Sequence, residues 1–178
     1  MSHTPTVSLT NDQISFFHEN GYLAIDNITT DEEVARMREA YDLIFDQRAG
    51  RDEGMEFDLA GTDEEGKVAD LPQILDPRRY SEELRDTLYE ANALHISRQL
   101  LGEGVQTRGS HAIFKPAKHG APTPWHQDEA YWNPSAKATS LSVWMPLQEA
   151  TRENGCMEFI PKSHLRDVQP HHHIDNNP

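Results

Sequence analysis

The stretch TSLSVWMPL, residues 139–147, decides the fold class because apolar and polar side chains alternate along it. Its two faces consist of Leu141, Val143 and Met145 on one side and Ser140, Ser142 and Trp144 on the other. A period of two over this length predicts a half-buried strand. The same kind of pattern predicts further strands over residues 22–28, 105–114 and 156–161.

Helices are predicted before most of these strands. Thr10 with Gln13, and Thr30 with Glu33, have the spacing of capping boxes, and Gly21 is placed to end the first helix. A third helix is predicted over residues 81–101. Helices followed by short strands indicate an α+β fold with a β-sandwich or jelly-roll core.

Two segments lack a pattern of regular structure. Residues 1–9 are expected to be a flexible lead-in. Residues 48–70 are rich in glycine and acidic side chains, which favours a long solvated loop, with a mobile lid as the alternative.

The composition bounds the function classes. A chain of 178 residues and 20.3 kDa suits a single domain spanning residues 1–178. The formal net charge of −14 disfavours nucleic acid and anionic membrane surfaces as partners. No apolar run approaches the roughly 20 residues of a membrane span, and no secretory signal is visible. The single Cys156 excludes an internal disulfide, so a cytoplasmic location is expected.

The densest chemistry lies in residues 123–132, TPWHQDEAYW. On an extended segment the side chains of His126 and Asp128 point to the same face. One imidazole and one carboxylate are two of the three ligands of the facial triad that holds non-haem Fe(II) and leaves positions open. Zinc accepts the same ligand types, so hydrolysis remains an alternative at this point.

The motif and its neighbours together resemble a known family. SVW at residues 142–144 and ENGCMEFIPKSH at residues 153–164 follow the His-x-Asp motif. With it they resemble the phytanoyl-CoA dioxygenase family of Fe(II)- and 2-oxoglutarate-dependent oxygenases. The resemblance runs from about residue 21 to about residue 166 and is specific from residue 115 to residue 164. It implies a double-stranded β-helix, a jelly-roll barrel, with helices packed outside.

The resemblance also implies roles for individual residues. His126 and Asp128 match two iron ligands, and the presence of Asp128 favours hydroxylation over halogenation. Trp144 matches a tryptophan that contacts 2-oxoglutarate, with core packing as the alternative. His111 matches a cosubstrate contact of variable type, with a buried structural histidine as the alternative. Gln127, between the two ligands, is counted with these cofactor contacts, whereas the turn around His164 matches a structural feature. The implied co-reactants are dioxygen and a small organic substrate.

Part of the family's pattern is missing. Its third ligand is a distal histidine, followed by an arginine that pairs with the far carboxylate of 2-oxoglutarate. No such pair follows Asp128, and no alternating run follows Pro161. The triplet His171–His173 is expected to be a solvated tail and not a ligand set. The jelly roll is therefore predicted to be incomplete at its C-terminal end.

Three functions stay open on the sequence. The first is a 2-oxoglutarate-dependent dioxygenase that hydroxylates a small molecule. The second is an inactive fragment or a non-catalytic metal-binding jelly-roll module. The third is a cupin-type zinc or manganese protein that uses His126 with histidines of the tail.

Overall fold

The computed structural model of the protein describes residues 3–60, 68–118, 120–131 and 139–171. The described residues form three α-helices, namely α1 (Asn11–Asn20), α2 (Asp31–Asp46) and α3 (Leu88–Leu101). They also form a three-stranded antiparallel sheet of β1 (Glu56–Asp58), β2 (Pro72–Leu75) and β3 (His111–Ile113), with β2 in the middle. Short 3-10 helices connect these elements.

The ends of α1 are where the sequence predicts them. The Thr10 hydroxyl accepts a hydrogen bond from the backbone N–H of Gln13, and the Gln13 side chain accepts one from the backbone N–H of Thr10. Gly21 ends the helix in the left-handed conformation at φ 84°, which costs glycine little. Both signals are local, and both are confirmed.

Glu33 departs from its predicted role. Thr30 caps α2 as expected, because its hydroxyl accepts from the Glu33 N–H. The Glu33 carboxylate does not return to Thr30. It is buried, at 4% exposure, and accepts hydrogen bonds from the backbone N–H groups of Leu88 and Tyr89, each at 2.8 Å. Glu33 therefore joins α2 to the N-terminus of α3.

The predicted third helix is shorter than residues 81–101. A 3-10 helix occupies Glu82–Leu84, and α3 begins after Thr87, whose hydroxyl accepts from the Glu90 N–H. The hydrophobic core lies between α2, the central strand and this region. Its buried members are Met37, Ala40, Ile44, Ile74 and Leu84.

Residues 6–9 are not part of a flexible lead-in, because α3 binds their backbone, whereas residues 1–2 lie outside the described residues. Asn92 is fully buried, and its Oδ1 accepts hydrogen bonds from the N–H groups of Thr6 at 2.7 Å and Val7 at 3.1 Å. Its Nδ2 donates to the Ile28 carbonyl at 2.8 Å and to the Thr6 hydroxyl at 3.2 Å. A single buried amide thus connects the N-terminal segment, the loop before α2 and α3.

The prediction of a solvated loop over residues 48–70 is also wrong for much of its length. Residues 56–58 form β1, which pairs with β2 through Glu56 and Ile74. The Glu56 carboxylate is buried and ion-paired to Arg48 at 3.2 Å and to Arg51 at 3.3 Å. The acidic composition therefore reflects compensated charge at this position as well as solvation. Residues 61–67 lie outside the described residues.

Most of the predicted strands are absent from the described part of the chain. Residues 22–28, 139–147 and 156–161 are irregular, and of residues 105–114 only His111–Ile113 pairs, with β2. Alternation reports which side chains face the interior, but a strand also needs a hydrogen-bonded neighbour. The α+β class is confirmed, whereas the described residues do not show the jelly-roll barrel.

The faces of residues 141–147 nevertheless alternate as predicted. The odd-numbered residues from Leu141 to Leu147 are partly buried, and the even-numbered residues are exposed. Met145 and Leu147 pack against the core cluster. The segment is extended along the core, with Ser142 and Trp144 on its outer side. Separately, no helix among the described residues has the length and apolar character needed to cross a membrane.

Candidate functional site

The side chains of His126 and Asp128 converge. The Nε2 atom of His126 lies 3.3 Å from Oδ1 of Asp128. The other ring nitrogen, Nδ1, lies 2.8 Å from the carbonyl oxygen of Pro124. A carbonyl oxygen only accepts, so Nδ1 carries the proton and donates. In the neutral ring the lone pair of Nε2 then faces the carboxylate. A histidine that binds a metal through Nε2 has the same arrangement, with its other nitrogen donating to the backbone.

The backbone that achieves this is not the predicted strand. Residues 125–127 are irregular, and Asp128 begins a 3-10 helix, Asp128–Tyr131, in which the Ala130 N–H donates to the Gln127 carbonyl. The extended-strand argument for the motif is therefore wrong in its geometry. A turn after Gln127 brings the two side chains together instead.

Ser142 holds the carboxylate from its other side. Its hydroxyl donates to Oδ2 of Asp128 at 3.2 Å, while Oδ1 of Asp128 faces His126. The alternating pattern predicts Ser142 on the face of Trp144, but it predicts no role for this hydroxyl. The alternation predicts the side to which Ser142 points, because on a segment with period two it shares the face of Trp144, but it does not predict the partner Asp128.

The segment that carries Ser142 is anchored to α3. The Tyr89 hydroxyl donates to the Val143 carbonyl at 2.9 Å. Burial, together with the negative charge of Glu90, raises the pKa of Tyr89 to about 12. The phenol therefore stays protonated and remains a donor throughout the neutral range. Through this bond the α-helical part of the molecule sets the position of Ser142.

Gln127 turns toward the end of the described chain. Its backbone N–H donates to Nε2 of His171 at 2.8 Å, and its side-chain Oε1 accepts from the Gln169 N–H at 2.8 Å. Nδ1 of His171 lies 2.6 Å from the Gln169 carbonyl, to which it donates. The expectation of a solvated tail is thus wrong for His171, because the motif itself binds it. His172 and His173 lie outside the described residues.

Two of the three predicted cosubstrate contacts, Trp144 and His111, are exposed. Trp144 is 50% exposed on the outer side of its segment, so the core-packing alternative is wrong. His111, in β3, pairs with Leu75 of β2. Its side chain is exposed, so it is not a buried structural histidine. Among the residues the structure describes, neither side chain forms a hydrogen bond or ring contact with the motif.

The turn at residues 161–164 docks on the end of α1. The Lys162 N–H donates to the Asn20 carbonyl at 2.9 Å, and Nε2 of His164 lies 3.1 Å from the His18 carbonyl. The ring of His164 covers Gly21, where an added Cβ would lie 2.2 Å from its Nδ1. His164 is therefore engaged in packing against α1.

The pair of donors fits a metal ion in part. Two donors bound at right angles with bonds of ~2.1 Å lie about 3 Å apart, close to the separation of Nε2 and Oδ1. Both side chains are held from behind, by Pro124 and by Ser142, which leaves the facing atoms for a shared cation. Within residues 3–60, 68–118, 120–131 and 139–171, no group of three His, Cys, Asp or Glu side chains is placed to hold a metal. A third protein ligand is not among them.

Comparison with known proteins gives a consistent result. The family model described as phytanoyl-CoA dioxygenase (PhyH) matches residues 17–177. A probable alpha-ketoglutarate-dependent hypophosphite dioxygenase of Stutzerimonas stutzeri is 28% identical over 88% of this chain and 54% of its own length. The ectoine dioxygenase of Bordetella bronchiseptica is 29% identical over 90% of this chain and 51% of its own length. The chain thus spans about half the length of these curated relatives.

Solved structures agree with the sequence matches. The crystal structure of EvdO2 from Micromonospora carbonacea var. aurantiaca has a TM-score of 0.75 and 36% identity, and covers 99% of this chain and 71% of EvdO2. EvdO2 complexed with 2-oxoglutarate gives a TM-score of 0.70 at 33% identity with the same coverage. Taken with the match over residues 17–177, this similarity over nearly the whole chain shows that the protein belongs to the phytanoyl-CoA dioxygenase family.

Proposed function

We propose that this chain carries the iron-binding motif of a non-haem Fe(II)- and 2-oxoglutarate-dependent dioxygenase that hydroxylates a small organic substrate. The observation that carries the proposal is the convergence of His126 Nε2 and Asp128 Oδ1 at 3.3 Å, with Nδ1 of His126 held 2.8 Å from the Pro124 carbonyl. Membership of the family supports it.

The residues of this chain have distinct tasks in that function. His126 and Asp128 would hold the iron, which when bound supplies the chemistry of dioxygen. Ser142 orients the carboxylate, and the Pro124 carbonyl fixes the imidazole. We also propose Trp144, His111 and Gln127 as the contacts for 2-oxoglutarate. EvdO2, a structural relative, is known in complex with that compound, which supports this cosubstrate.

Charge supports the class of substrate. A formal net charge of −14 disfavours a nucleic acid partner, because the chain as a whole repels a phosphate backbone. Two exposed aromatic side chains flank the motif in the chain, Trp125 and Tyr131, and the ring of Tyr131 contacts that of His126. Aromatic side chains beside a few polar groups are typical of small-molecule sites. We therefore propose a small organic substrate and treat residues 1–178 as a single domain.

One observation favours a second candidate. The described residues contain two metal ligands and no third, and the chain covers about half of its curated relatives. A metal-binding module without oxygenase activity has the same two ligands. Binding of 2-oxoglutarate separates the two candidates, because the dioxygenase needs protein contacts that hold this cosubstrate beside the metal and the module does not.

The test is an anaerobic titration of the 178-residue chain with Fe(II) and then 2-oxoglutarate, followed by visible absorption. The proposed function predicts a weak charge-transfer band that needs both additions. His126→Ala is expected to abolish the band, and His164→Ala, which removes a histidine engaged by α1, is expected to retain it. Metal binding without the band would support the non-catalytic module. No metal binding at all would refute both candidates.

A further inference from the structure

The end of the described chain is fastened to the residue between the two proposed ligands. Gln127 is bound twice, through its backbone N–H by His171 and through its side-chain oxygen by Gln169, each at 2.8 Å. A third bond, from His171 Nδ1 to the Gln169 carbonyl at 2.6 Å, closes the arrangement. We call residues 169–171 the strap.

At the motif, a hydrogen bond from the strap replaces one that a neighbouring β-strand would make to the backbone. Residues 125–127 are in no strand, so their backbone polar groups need other partners. The N–H of Gln127 finds the His171 imidazole, and its carbonyl accepts from Ala130 in the turn that follows. A side chain therefore satisfies the amide that a neighbouring strand satisfies in a sheet.

Both nitrogens of His171 are committed to this task. Nδ1 donates to the Gln169 carbonyl, so Nε2 bears the lone pair that accepts from Gln127. The ring of Tyr131 packs edge-on against His171, with centroids 5.8 Å apart, and against His126, with centroids 6.3 Å apart. The strap thus reaches the motif at the amide of Gln127 and, through Tyr131, at the first proposed ligand.

We propose that His171 is a positioning residue of the metal site. By fixing the backbone of Gln127 it sets the angle between the side chains of His126 and Asp128. It does not bind the metal in this arrangement, because its Nε2 is already an acceptor. This inference rests on the proposed function, in which those two side chains hold the iron.

The expected effect follows from two general magnitudes. Loss of a group that orients metal ligands weakens metal binding by about 10- to 100-fold. Loss of one hydrogen bond to a backbone amide speeds exchange of that amide by up to about tenfold. We expect His171→Ala to show both changes. His171→Gln keeps an oxygen acceptor for the Gln127 N–H and is expected to recover most of both.

The experiment uses the full chain in two parallel measurements. Amide hydrogen exchange at Gln127 is followed by NMR on the metal-free protein, and the Kd for Co(II), an optical substitute for Fe(II), is measured by anaerobic titration. His172→Ala removes a histidine from the same tail and serves as the matched control. The proposal predicts faster Gln127 exchange and a raised Kd in His171→Ala, recovery in His171→Gln, and neither change in His172→Ala.

Several results would overturn the proposal. If amide exchange at Gln127 were unchanged in His171→Ala, His171 would not hold the Gln127 backbone, and the proposal would fail. An equal rise in Kd for His171→Ala and His172→Ala would mean that both histidines contribute equally to weak Co(II) binding and that His171 has no specific positioning role. An equal rise in Kd for His171→Ala and His171→Gln, with exchange recovered in the latter, would identify His171 as a direct ligand. If the wild-type chain bound no Co(II), the proposed function would fail, and the exchange measurement would still report separately on the strap.

Discussion

Glu33→Gln is expected to destabilise the protein far more than a surface glutamate change. The Glu33 carboxylate is 4% exposed and accepts the backbone N–H groups of Leu88 and Tyr89, the first two residues of α3, together with the Thr29 hydroxyl. Arg36 lies 3.3 Å from it. The negative charge also faces the positive end of the α3 dipole.

The magnitude follows from these contacts. Hydrogen bonds to charged groups contribute about 1.5–3 kcal/mol each, and a buried donor without a partner costs about 1–3 kcal/mol. Glutamine is isosteric and keeps one acceptor oxygen, but its NH2 group meets the second α3 amide. We therefore expect Glu33→Gln to lower the free energy of unfolding by about 2–4 kcal/mol at neutral pH.

The pH dependence has a definite sign. Burial raises the pKa of Glu33, but the hydrogen bonds from Thr29, Leu88 and Tyr89 and the charge of Arg36 outweigh it, so the pKa lies below the ordinary value of 4.5. The folded state therefore releases this proton more readily than the unfolded state does. The contribution of Glu33 is complete above about pH 4.5 and is lost as the pH falls through the lowered value.

The assay is urea unfolding followed by circular dichroism, at neutral pH and in steps below pH ~4.5. Glu32→Gln is the matched control, because Glu32 carries the same charge in the same turn but is exposed. The difference in unfolding free energy between Glu33→Gln and Glu32→Gln should become smaller as the pH falls below about 4.5. Unfolding free energies that agree within about 0.5 kcal/mol at neutral pH would refute the role given to Glu33.

Three further predictions concern the site and its support. Ser142→Ala is expected to raise the Kd for Co(II) about tenfold, and Ser140→Ala is expected to leave it unchanged, as measured by anaerobic titration. Burial raises the pKa of Tyr41 and of Tyr89 to about 12. Ultraviolet titration should therefore show two late-ionising phenols, and only one in Tyr89→Phe. Because the folded state keeps these protons, stability should fall above about pH 10. Gly21→Ala, at φ 84° and against an imidazole, should cost about 1–3 kcal/mol in thermal or urea unfolding.

The sequence predicts the helical part well because its signals are local. The Thr10–Gln13 box and Gly21 place α1 to the residue, and Thr30 marks the start of α2. The predicted start of the third helix at residue 81 is wrong, because α3 begins only after Thr87. Each signal needs only residues within one turn. The role of Glu33 is not predictable in this way, because its partners are 55 and 56 residues away in the chain.

The strands and the surroundings of the motif depend on distant partners. The alternation from Leu141 to Leu147 correctly predicts which side chains face inward, but pairing requires a second segment that the pattern does not contain. His126 and Asp128 can be singled out from their spacing together with the neighbouring motifs that resemble the family. Ser142 and His171 could not be assigned to them, because they are 14 and 44 residues from their partners in the motif.

The hydrogen bonds of the buried Asn92 amide have a practical consequence for truncating or tagging this protein. This amide has four hydrogen bonds, three of them to residues 6 and 7. A polypeptide that starts at Thr10 would keep every described helix, but the buried Asn92 amide would lose its hydrogen-bond partners in residues 6 and 7. A purification tag is better joined before Thr6 through a spacer, and a protease that cleaves between Val7 and Thr10 would serve as a sensitive probe of whether the fold is intact.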